Sequence, residues 1–202
     1  MTIIPMTEQA ATPVSLNVES IGLTPDQFLR LCADNRELRL ELTARKELIV
    51  MLPAGGESSA RNLIISRELG IWTKANAAGI AFDSTGGFVL PNGSIRSPDS
   101  SWIPRDRWDA LSRVQKRGFL PLCPDFVIEL RSPSDRLRTV KEKMAEYMAN
   151  GARLGWLIDP SQKRAEVYRP GQPVQYLENP DSISADPDLP GFVLDLSEIW
   201  SD

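Results

Sequence analysis

The most restrictive feature of the sequence is a nearly continuous apolar run, DFVIEL, at residues 125–130. Such a run predicts a strand that is buried on both faces, as in a sheet covered by helices. A helix is predicted next, at about 136–150, and the strand LGWLID follows it. The whole unit, 125–158, has the length of a crossover between two parallel strands. We therefore expect an α/β (α+β) fold with a mixed central sheet flanked by helices.

The elements around this unit are predicted from periodicity and capping residues. Thr24 and Pro25 are typical of a helix start and predict a short helix at 23–35. Alternating ELRLELT and the following ELIVML predict an N-terminal β-hairpin, and SARNLIISRELGIWTKANAA predicts a helix of about five turns. Short strands (IAFD, GFVL, SWI) and one short helix at 106–117 complete the first part. AEVYRP and PVQYLE predict a hairpin of edge strands, and the tail LPGFVLDLSEIW is expected to cap the core.

The length of 202 residues suits one α/β domain. Residues 21–202 are therefore predicted to form a single domain, preceded by a disordered arm at 1–20. No apolar run approaches the roughly 20 residues that cross a bilayer, and the N-terminus lacks the pattern of a secretory signal. A cytoplasmic protein with no membrane contact is expected. Its two cysteines, Cys32 and Cys123, are expected to be reduced.

The chain contains no histidine. This excludes Ser-His-Asp and Cys-His nucleophiles, HEXXH zinc hydrolysis and histidine general bases, so carboxylates with lysine or arginine must carry any chemistry. The net charge of −4 argues against a non-specific DNA coat protein. Basic groups nevertheless concentrate at 105–117 and 131–145, each with five basic and two acidic residues. The Gly-Gly pairs at 55–56 and 86–87 form no Walker or dinucleotide loop, so no nucleotide cofactor is expected.

Two carboxylates are candidates for a metal site. Glu129 lies in the most buried predicted strand, where an ionised carboxylate is costly unless it is paired or bound to metal. Asp99 lies beside the short strand SWI, in RSPDSSWI. A salt bridge from Glu129 to Arg131, which points to the same face, is one interpretation. A site for a hard cation shared with Asp99 is the other, because Mg²⁺ prefers a few carboxylates plus water. The residues alone leave both open.

The set SPD, PDFVIELRSPSD and KMAEYMANGARLGWLIDP resembles the Uma-two family of predicted endonucleases, in the PD-(D/E)XK superfamily. The resemblance runs over about residues 23–200. It implies a restriction-endonuclease-like fold and phosphodiester hydrolysis assisted by Mg²⁺ or Mn²⁺. Asp99 matches the first metal-binding aspartate of the family, and Glu129 matches the acidic residue of its E-x-x-S stretch. Lys143 matches the lysine of its K-x-x-x-Y motif, with Tyr147 as the tyrosine.

The sequence departs from the superfamily at position 131, where the lysine of D/E-x-K is replaced by Arg131. Arginine stays protonated and cannot be a general base, although it can bind the scissile phosphate or hold Glu129. The resemblance therefore assigns the lysine role to Lys143. Glu57 is a candidate third metal ligand, because the superfamily often supplies one from its first core helix; its alternative role is a charge at the helix N-terminus. Glu41 matches a family glutamate, but an exposed strand carboxylate is the simpler account.

The function predicted from these features is a Mg²⁺- or Mn²⁺-dependent endonuclease that hydrolyses DNA. A catalytically inactive nuclease-fold protein that binds nucleic acid or a protein partner is the alternative. A metal-dependent hydrolase of small phosphoesters is a third hypothesis. A homodimer is expected, because cutting both strands of a duplex favours two active sites related by a two-fold axis.

Overall fold

The structure is a computed structural model that describes residues 13–201. In chain order its strands are β1 (Val14–Asn17), β2 (Arg39–Leu42), β3 (Glu47–Met51), β4 (Gly79–Asp83), β5 (Phe88–Val89), β6 (Ile95–Arg96), β7 (Ser100–Pro104), β8 (Phe126–Leu130), β9 (Leu154–Asp159), β10 (Arg164–Tyr168), β11 (Gln175–Glu178), β12 (Ser182–Ser184) and β13 (Val193–Asp195). Its helices are α1 (Pro25–Asp34), α2 (Gly56–Asn76), α3 (Arg105–Asp109), α4 (Arg113–Arg117), α5 (Leu137–Ala149) and α6 (Ser197–Trp200).

A six-stranded sheet in the order β11-β10-β9-β8-β7-β4 forms the centre of the fold. The strands β8 and β9 run parallel, with Phe126 opposite Leu154, and the other neighbours are antiparallel. The helix α5 connects the parallel pair and ends before Gly151, whose φ of 107° suits glycine. The predicted strand–helix–strand crossover is therefore confirmed.

A second sheet has the order β1-β3-β2-β6-β5 and contains the predicted hairpin as β2 and β3. The strand β1 pairs with β3, so the predicted disordered arm is wrong from Val14 onward, and a short 3-10 helix follows at Glu19–Ile21. Val14 and Leu16 lie opposite Val50 and Leu48, and this cross-strand pairing stabilises a segment too short to show a clear pattern alone. Residues 1–12 of the predicted arm lie outside the described residues.

The predicted start of α1 is confirmed, because the Thr24 hydroxyl accepts a hydrogen bond from the Gln27 backbone amide and the Thr24 backbone amide donates to Gln27 Oε1. The single helix predicted at 106–117 is wrong in its extent. Two short helices, α3 and α4, occupy this segment, since Ser112 caps a new helix and so ends the first.

Helices cover both faces of the central sheet. In β8, Phe126 and Ile128 face a core shared with α2 and the C-terminal tail, whereas Val127 faces a core shared with α5. Because side chains alternate along a strand, Glu129 points to the α5 side. A third core lies between α1 and the five-stranded sheet.

The C-terminal tail packs on the central sheet, as predicted. The ring of Phe192 stacks on Trp156 with centroids 5.6 Å apart and an interplanar angle of 13°. It also contacts Phe126 at 6.0 Å and Trp72 at 5.6 Å. The tail therefore closes the aromatic core beneath the strands that carry the candidate site.

Between residues 13 and 201, no helix is both long and apolar enough to span a membrane. Cys32 and Cys123 are both free thiols.

We predict that Phe192→Ala lowers the free energy of unfolding by about 3–5 kcal/mol, because it removes a fully buried ring from a packed aromatic cluster. Urea unfolding measures this. The neighbouring Val193 is 52% exposed, so Val193→Ala is the matched control and is expected to change stability by less than about 1 kcal/mol. Equal losses in the two variants would contradict the packing role of the tail.

Candidate active site

Asp99 and Glu129 lie at the same edge of the central sheet. Asp99 immediately precedes β7, and β7 pairs antiparallel with β8, which carries Glu129. The Oδ2 atom of Asp99 accepts a hydrogen bond from the backbone amide of Leu130 at 2.9 Å. This bond fixes the Asp99 side chain to β8 at Leu130, the residue that follows Glu129.

The helix α5 supplies two polar side chains to Glu129. The Nζ atom of Lys143 lies 2.8 Å from Glu129 Oε1, and the hydroxyl of Tyr147 donates to the same oxygen at 3.1 Å. Lys143 and Tyr147 are four residues apart and so share one face of the helix. The structure thus brings together Asp99, Glu129 and Lys143, the residues that the resemblance singles out.

Glu41 belongs to the same group, and its expected exposure is wrong. Its side chain is 3% exposed, and its Oε1 atom lies 2.9 Å from Lys143 Nζ. The backbone amide of Ser97 donates to Oε1 at 3.0 Å, and Arg96 donates to Oε2 at 3.0 Å. Glu41 is buried because β2 lies in the middle of the five-stranded sheet and its carboxylate is enclosed by Lys143 of α5 and Arg96 of β6. Arg96 also binds Glu146 of α5 at 2.6 Å.

Two other predicted residues lie in different ion pairs. Arg131 binds Asp159 at 2.7 Å, so the alternative salt bridge between Arg131 and Glu129 is wrong. Packing of α5 against β8 gives Glu129 a closer cation, Lys143. The side chain of Glu57 is 78% exposed and pairs with Arg61 at 3.3 Å, away from the residues that contact Lys143.

Sequence reasoning missed Asn62, which α2 contributes instead of Glu57. Its Nδ2 atom lies 3.5 Å from Asp99 Oδ1. Its Oδ1 atom is buried and has no hydrogen-bond donor in the part of the chain that the structure describes. Asn62 lies three residues before Ile65, a buried residue of α2. Its signal in the sequence is therefore a polar side chain next to the apolar face of the predicted helix. Arg96, also missed, carries no local signal because its partner Glu41 is 55 residues away.

The family follows from comparison with known proteins. The model of the Uma2 (Uma-two) family, described as "Putative restriction endonuclease", matches residues 25–197. The chain belongs to the Uma2 family. No curated protein matches this Uma2 chain.

A solved structure supports the fold of this Uma2 protein. It is the crystal structure of a "putative nuclease belonging to DUF820" from Anabaena variabilis ATCC 29413. The two chains are 23% identical, and the match has a TM-score of 0.73 and covers 88% of this chain and 97% of the other. This likeness confirms the predicted restriction-endonuclease-like fold.

Burial and neighbouring charges together shift the pKa values of the site residues in different directions. Burial raises the pKa of Glu129 to about 8, although Lys143 opposes the shift. Burial also raises the pKa of Asp99, against the effects of Lys143 and the Leu130 amide. Burial alone would raise the pKa of Glu41, but the charges of Lys143 and Arg96 lower it to about 2. Burial alone would lower the pKa of Lys143, but Glu129 and Glu41 raise it above its usual value.

The charges at the site do not balance. Among the described residues, five carboxylates face three cations, so two negative charges stay uncompensated when every group is ionised. The carboxylates are Glu41, Asp99, Glu129, Asp135 and Glu146, and the cations are Arg39, Arg96 and Lys143. Burying unpaired charge is costly, and this explains why the pKa values of Asp99 and Glu129 rise.

A divalent cation fits this imbalance. Its two positive charges would compensate the excess carboxylates, and Mg²⁺ takes few protein oxygens and keeps several waters. Among residues 13–201, Asp99 Oδ1 has only the long contact to Asn62, and Asn62 Oδ1 is an unsatisfied oxygen beside it. Within residues 13–201 no group of three or more His, Cys, Asp or Glu side chains is arranged to hold a metal. The residues therefore suit an ion held by two carboxylates, an amide oxygen and water.

The raised pKa of Glu129 predicts a pH dependence of stability in metal-free protein. A folded-state pKa above the unfolded value gives stability that is present below about pH 4.5 and is lost as pH rises towards about 8. Glu129→Gln removes the titrating carboxyl group and, with it, this pH-dependent loss of stability. We therefore expect the variant to gain stability relative to wild type as pH rises from about 5.5 to 8.5, by a few kcal/mol.

Urea unfolding with a chelator at both pH values measures the difference. Phe192→Ala is the control, because it removes no titrating group and should shift stability by a similar amount at both pH values. A difference between wild type and Glu129→Gln that does not change with pH would show that Glu129 is not held in its neutral form by burial.

Proposed function

We propose that this Uma2 protein is a Mg²⁺- or Mn²⁺-dependent endonuclease that hydrolyses phosphodiester bonds in DNA. The observation that supports this most directly is the pair formed by half-buried Asp99 and buried Glu129, with the ammonium of Lys143 at 2.8 Å from Glu129 Oε1. This combination provides two hard oxygen ligands and a fixed positive charge at one edge of a sheet. Family membership favours phosphodiester hydrolysis over other reactions of such a site.

Each residue has a distinct role in the proposed reaction. Asp99 and Glu129 would hold the ion, with Asn62 offering its side-chain oxygen directly or through a water. A bound divalent cation lowers the pKa of its water and offsets charge that grows on the phosphate. Lys143 keeps its proton on Nζ and presents a positive charge where the phosphate oxygens become more negative. Glu57 has no place in this proposal, because its exposed carboxylate is paired with Arg61.

DNA as the substrate is supported by the charge beside the site. Arg131 follows β8 directly and is 21% exposed, and its contact with Asp159 holds the guanidinium at the end of this strand, where it would bind a phosphate of the substrate. It belongs to the basic segment 131–145, which also includes Lys143. A two-fold dimer would present one such site to each strand of a duplex, and we include a homodimer in the proposal.

One observation favours a second candidate function. Arginine occupies the position of the usual D/E-x-K lysine and is tied to Asp159. A protein that keeps the fold and binds nucleic acid without cutting it would have the same feature. The two functions differ in whether a metal ion produces strand breaks.

Asp99→Asn tests the nuclease function. The change keeps the size of the side chain and removes the charge that the metal needs, so nicking of supercoiled plasmid in Mn²⁺ is expected to fall by about 100-fold or more. Gel electrophoresis of the plasmid measures the rate. Asp125→Asn is the matched control, because Asp125 immediately precedes β8, as Asp99 precedes β7, and pairs with Arg107 at the end of β8 opposite Glu129. It should cut like wild type.

The possible outcomes separate the candidates. Equal nicking by wild type and Asp99→Asn would indicate a contaminating nuclease or a different active site. Plasmid binding without any cleavage by wild type would support the non-catalytic protein instead. Cleavage of a small chromogenic phosphodiester without cleavage of plasmid would support the hydrolase of small phosphoesters.

Metal binding gives a separate prediction that needs no DNA. An ion that binds only the folded state raises its stability, by about 2.7 kcal/mol at one hundred times the dissociation constant. Thermal unfolding with and without Mn²⁺ should show this gain in wild type and in Asp125→Asn. Asp99→Asn should lose most of it, and an undiminished gain in that variant would mean that the ion binds elsewhere.

A further inference from the structure

We propose that Glu41 is a positioning residue that holds the ammonium of Lys143 beside Glu129 and does not bind the metal. The proposal rests on the nuclease function above and gives Glu41 a role that differs from those of the other buried carboxylates. It follows from how the oxygens of Glu41 and the ammonium hydrogens of Lys143 are already used.

The ammonium of Lys143 has a partner in three directions. It lies 2.8 Å from Glu129 Oε1, 2.9 Å from Glu41 Oε1 and 3.4 Å from the carbonyl oxygen of Ser97. An ammonium group has three hydrogens to donate. A free lysine side chain samples many rotamers, and ordering it costs up to about 2 kcal/mol. Its three contacts with β2, β8 and the Ser97 segment therefore hold one position.

Both oxygens of Glu41 are engaged by cations or by an amide. Oε1 accepts from Lys143 and from the Ser97 amide, and Oε2 accepts from Arg96 at 3.0 Å. A metal ion on either oxygen would sit against Lys143 or Arg96 and be repelled. Asp99 differs, since within the described part of the chain its Oδ1 has only a 3.5 Å contact with the neutral Asn62. The contacts thus separate a carboxylate that serves Lys143 from one that is open to a cation.

Arg96 completes the positioning of Lys143. It binds Glu41 on β2 and Glu146 on α5, and Glu146 is three residues from Lys143 on that helix. The arginine therefore joins the five-stranded sheet to the helix that carries the lysine. Glu41 contacts the ammonium group of Lys143. Arg96 links the carboxylate of Glu41 to Glu146 of α5, the helix that carries Lys143.

The chain offers a matched control for Glu41. Glu166 is 2% exposed and lies 2.8 Å from Lys141, two residues from Lys143 on the same helix. Its other oxygen accepts a hydrogen bond from the Tyr168 hydroxyl at 2.6 Å. Glu166→Gln therefore removes a buried carboxylate with a lysine partner without touching the site. It separates a loss of positioning from a general loss of stability.

The first experiment measures cleavage and metal affinity separately. We expect Glu41→Gln to lower the single-turnover rate of plasmid cleavage at saturating Mn²⁺ by about 10- to 100-fold. The dissociation constant for Mn²⁺ should change by less than about threefold, because a charge that does not contact the ion affects its binding only weakly. Calorimetry with Mn²⁺ alone gives the affinity. Glu166→Gln should leave both values unchanged. Adding Glu41→Gln to Lys143→Met should slow the reaction no further, since residues that act as a unit are not additive.

Two results would overturn the proposal. Weakening of Mn²⁺ binding by Glu41→Gln as large as that caused by Asp99→Asn would make Glu41 a metal ligand. An equal effect of Glu41→Gln with and without Lys143 would show that it acts independently of the lysine. Should Glu41→Gln fail to fold, Glu41→Asp keeps the charge but shortens the reach. It is then expected to slow cleavage with little change in Mn²⁺ affinity.

The second experiment does not depend on activity. Amine-reactive labelling followed by mass spectrometry reports how firmly each lysine is held. We expect Lys143 to be labelled faster in Glu41→Gln and Lys141 to be labelled faster in Glu166→Gln, each without a change at the other lysine. Unchanged labelling of Lys143 in folded Glu41→Gln would reject the positioning role. Absence of cleavage by wild type would reject the proposed nuclease function, while labelling and Mn²⁺ affinity still decide the role of Glu41.

Discussion

The ammonium of Lys143 lies between two buried carboxylates that come from different sheets, Glu41 on β2 and Glu129 on β8. Charges in such an environment interact strongly, and removing one partner of a buried pair costs about 3–5 kcal/mol because the other is left uncompensated. The contact therefore ties three elements together. The packing of the five-stranded sheet, the central sheet and α5 against one another therefore depends on the ion pairs of Lys143 with Glu41 and Glu129.

The same group carries more negative charge than its own cations can balance. Glu41 is fully matched by Lys143 and Arg96, and its pKa is low, whereas burial raises the pKa of Glu129 to about 8. Folding thus leaves part of the site in an electrostatically unfavourable state. The aromatic core on the other face of the central sheet, where Phe192 stacks on Trp156, contributes stabilisation that offsets this cost. A site that is poorly balanced without an ion is well suited to bind one.

Local pattern was a reliable guide where burial is set along one element. The apolar run at 125–130 predicted β8, the spacing after it predicted α5 and β9, and the alternation placed Glu129 on the face away from Phe126. Asp99, Glu129 and Lys143 were singled out by resemblance rather than by periodicity. Periodicity did not predict short segments such as β1 at Val14–Asn17. Four residues show no clear period, and β1 forms by pairing with β3, which lies about 30 residues later in the chain.

The sequence by itself determined the class of fold, the family and the chemical types available to the site, because periodicity, motif spacing and the lack of histidine are properties of the chain alone. Only the tertiary structure decided which charges meet. Glu41 is buried against Arg96, 55 residues away, and Glu129 pairs with Lys143 rather than with Arg131 two residues on. Alternation along a strand fixes the face of a side chain, but its partner is set by whichever element packs on that face.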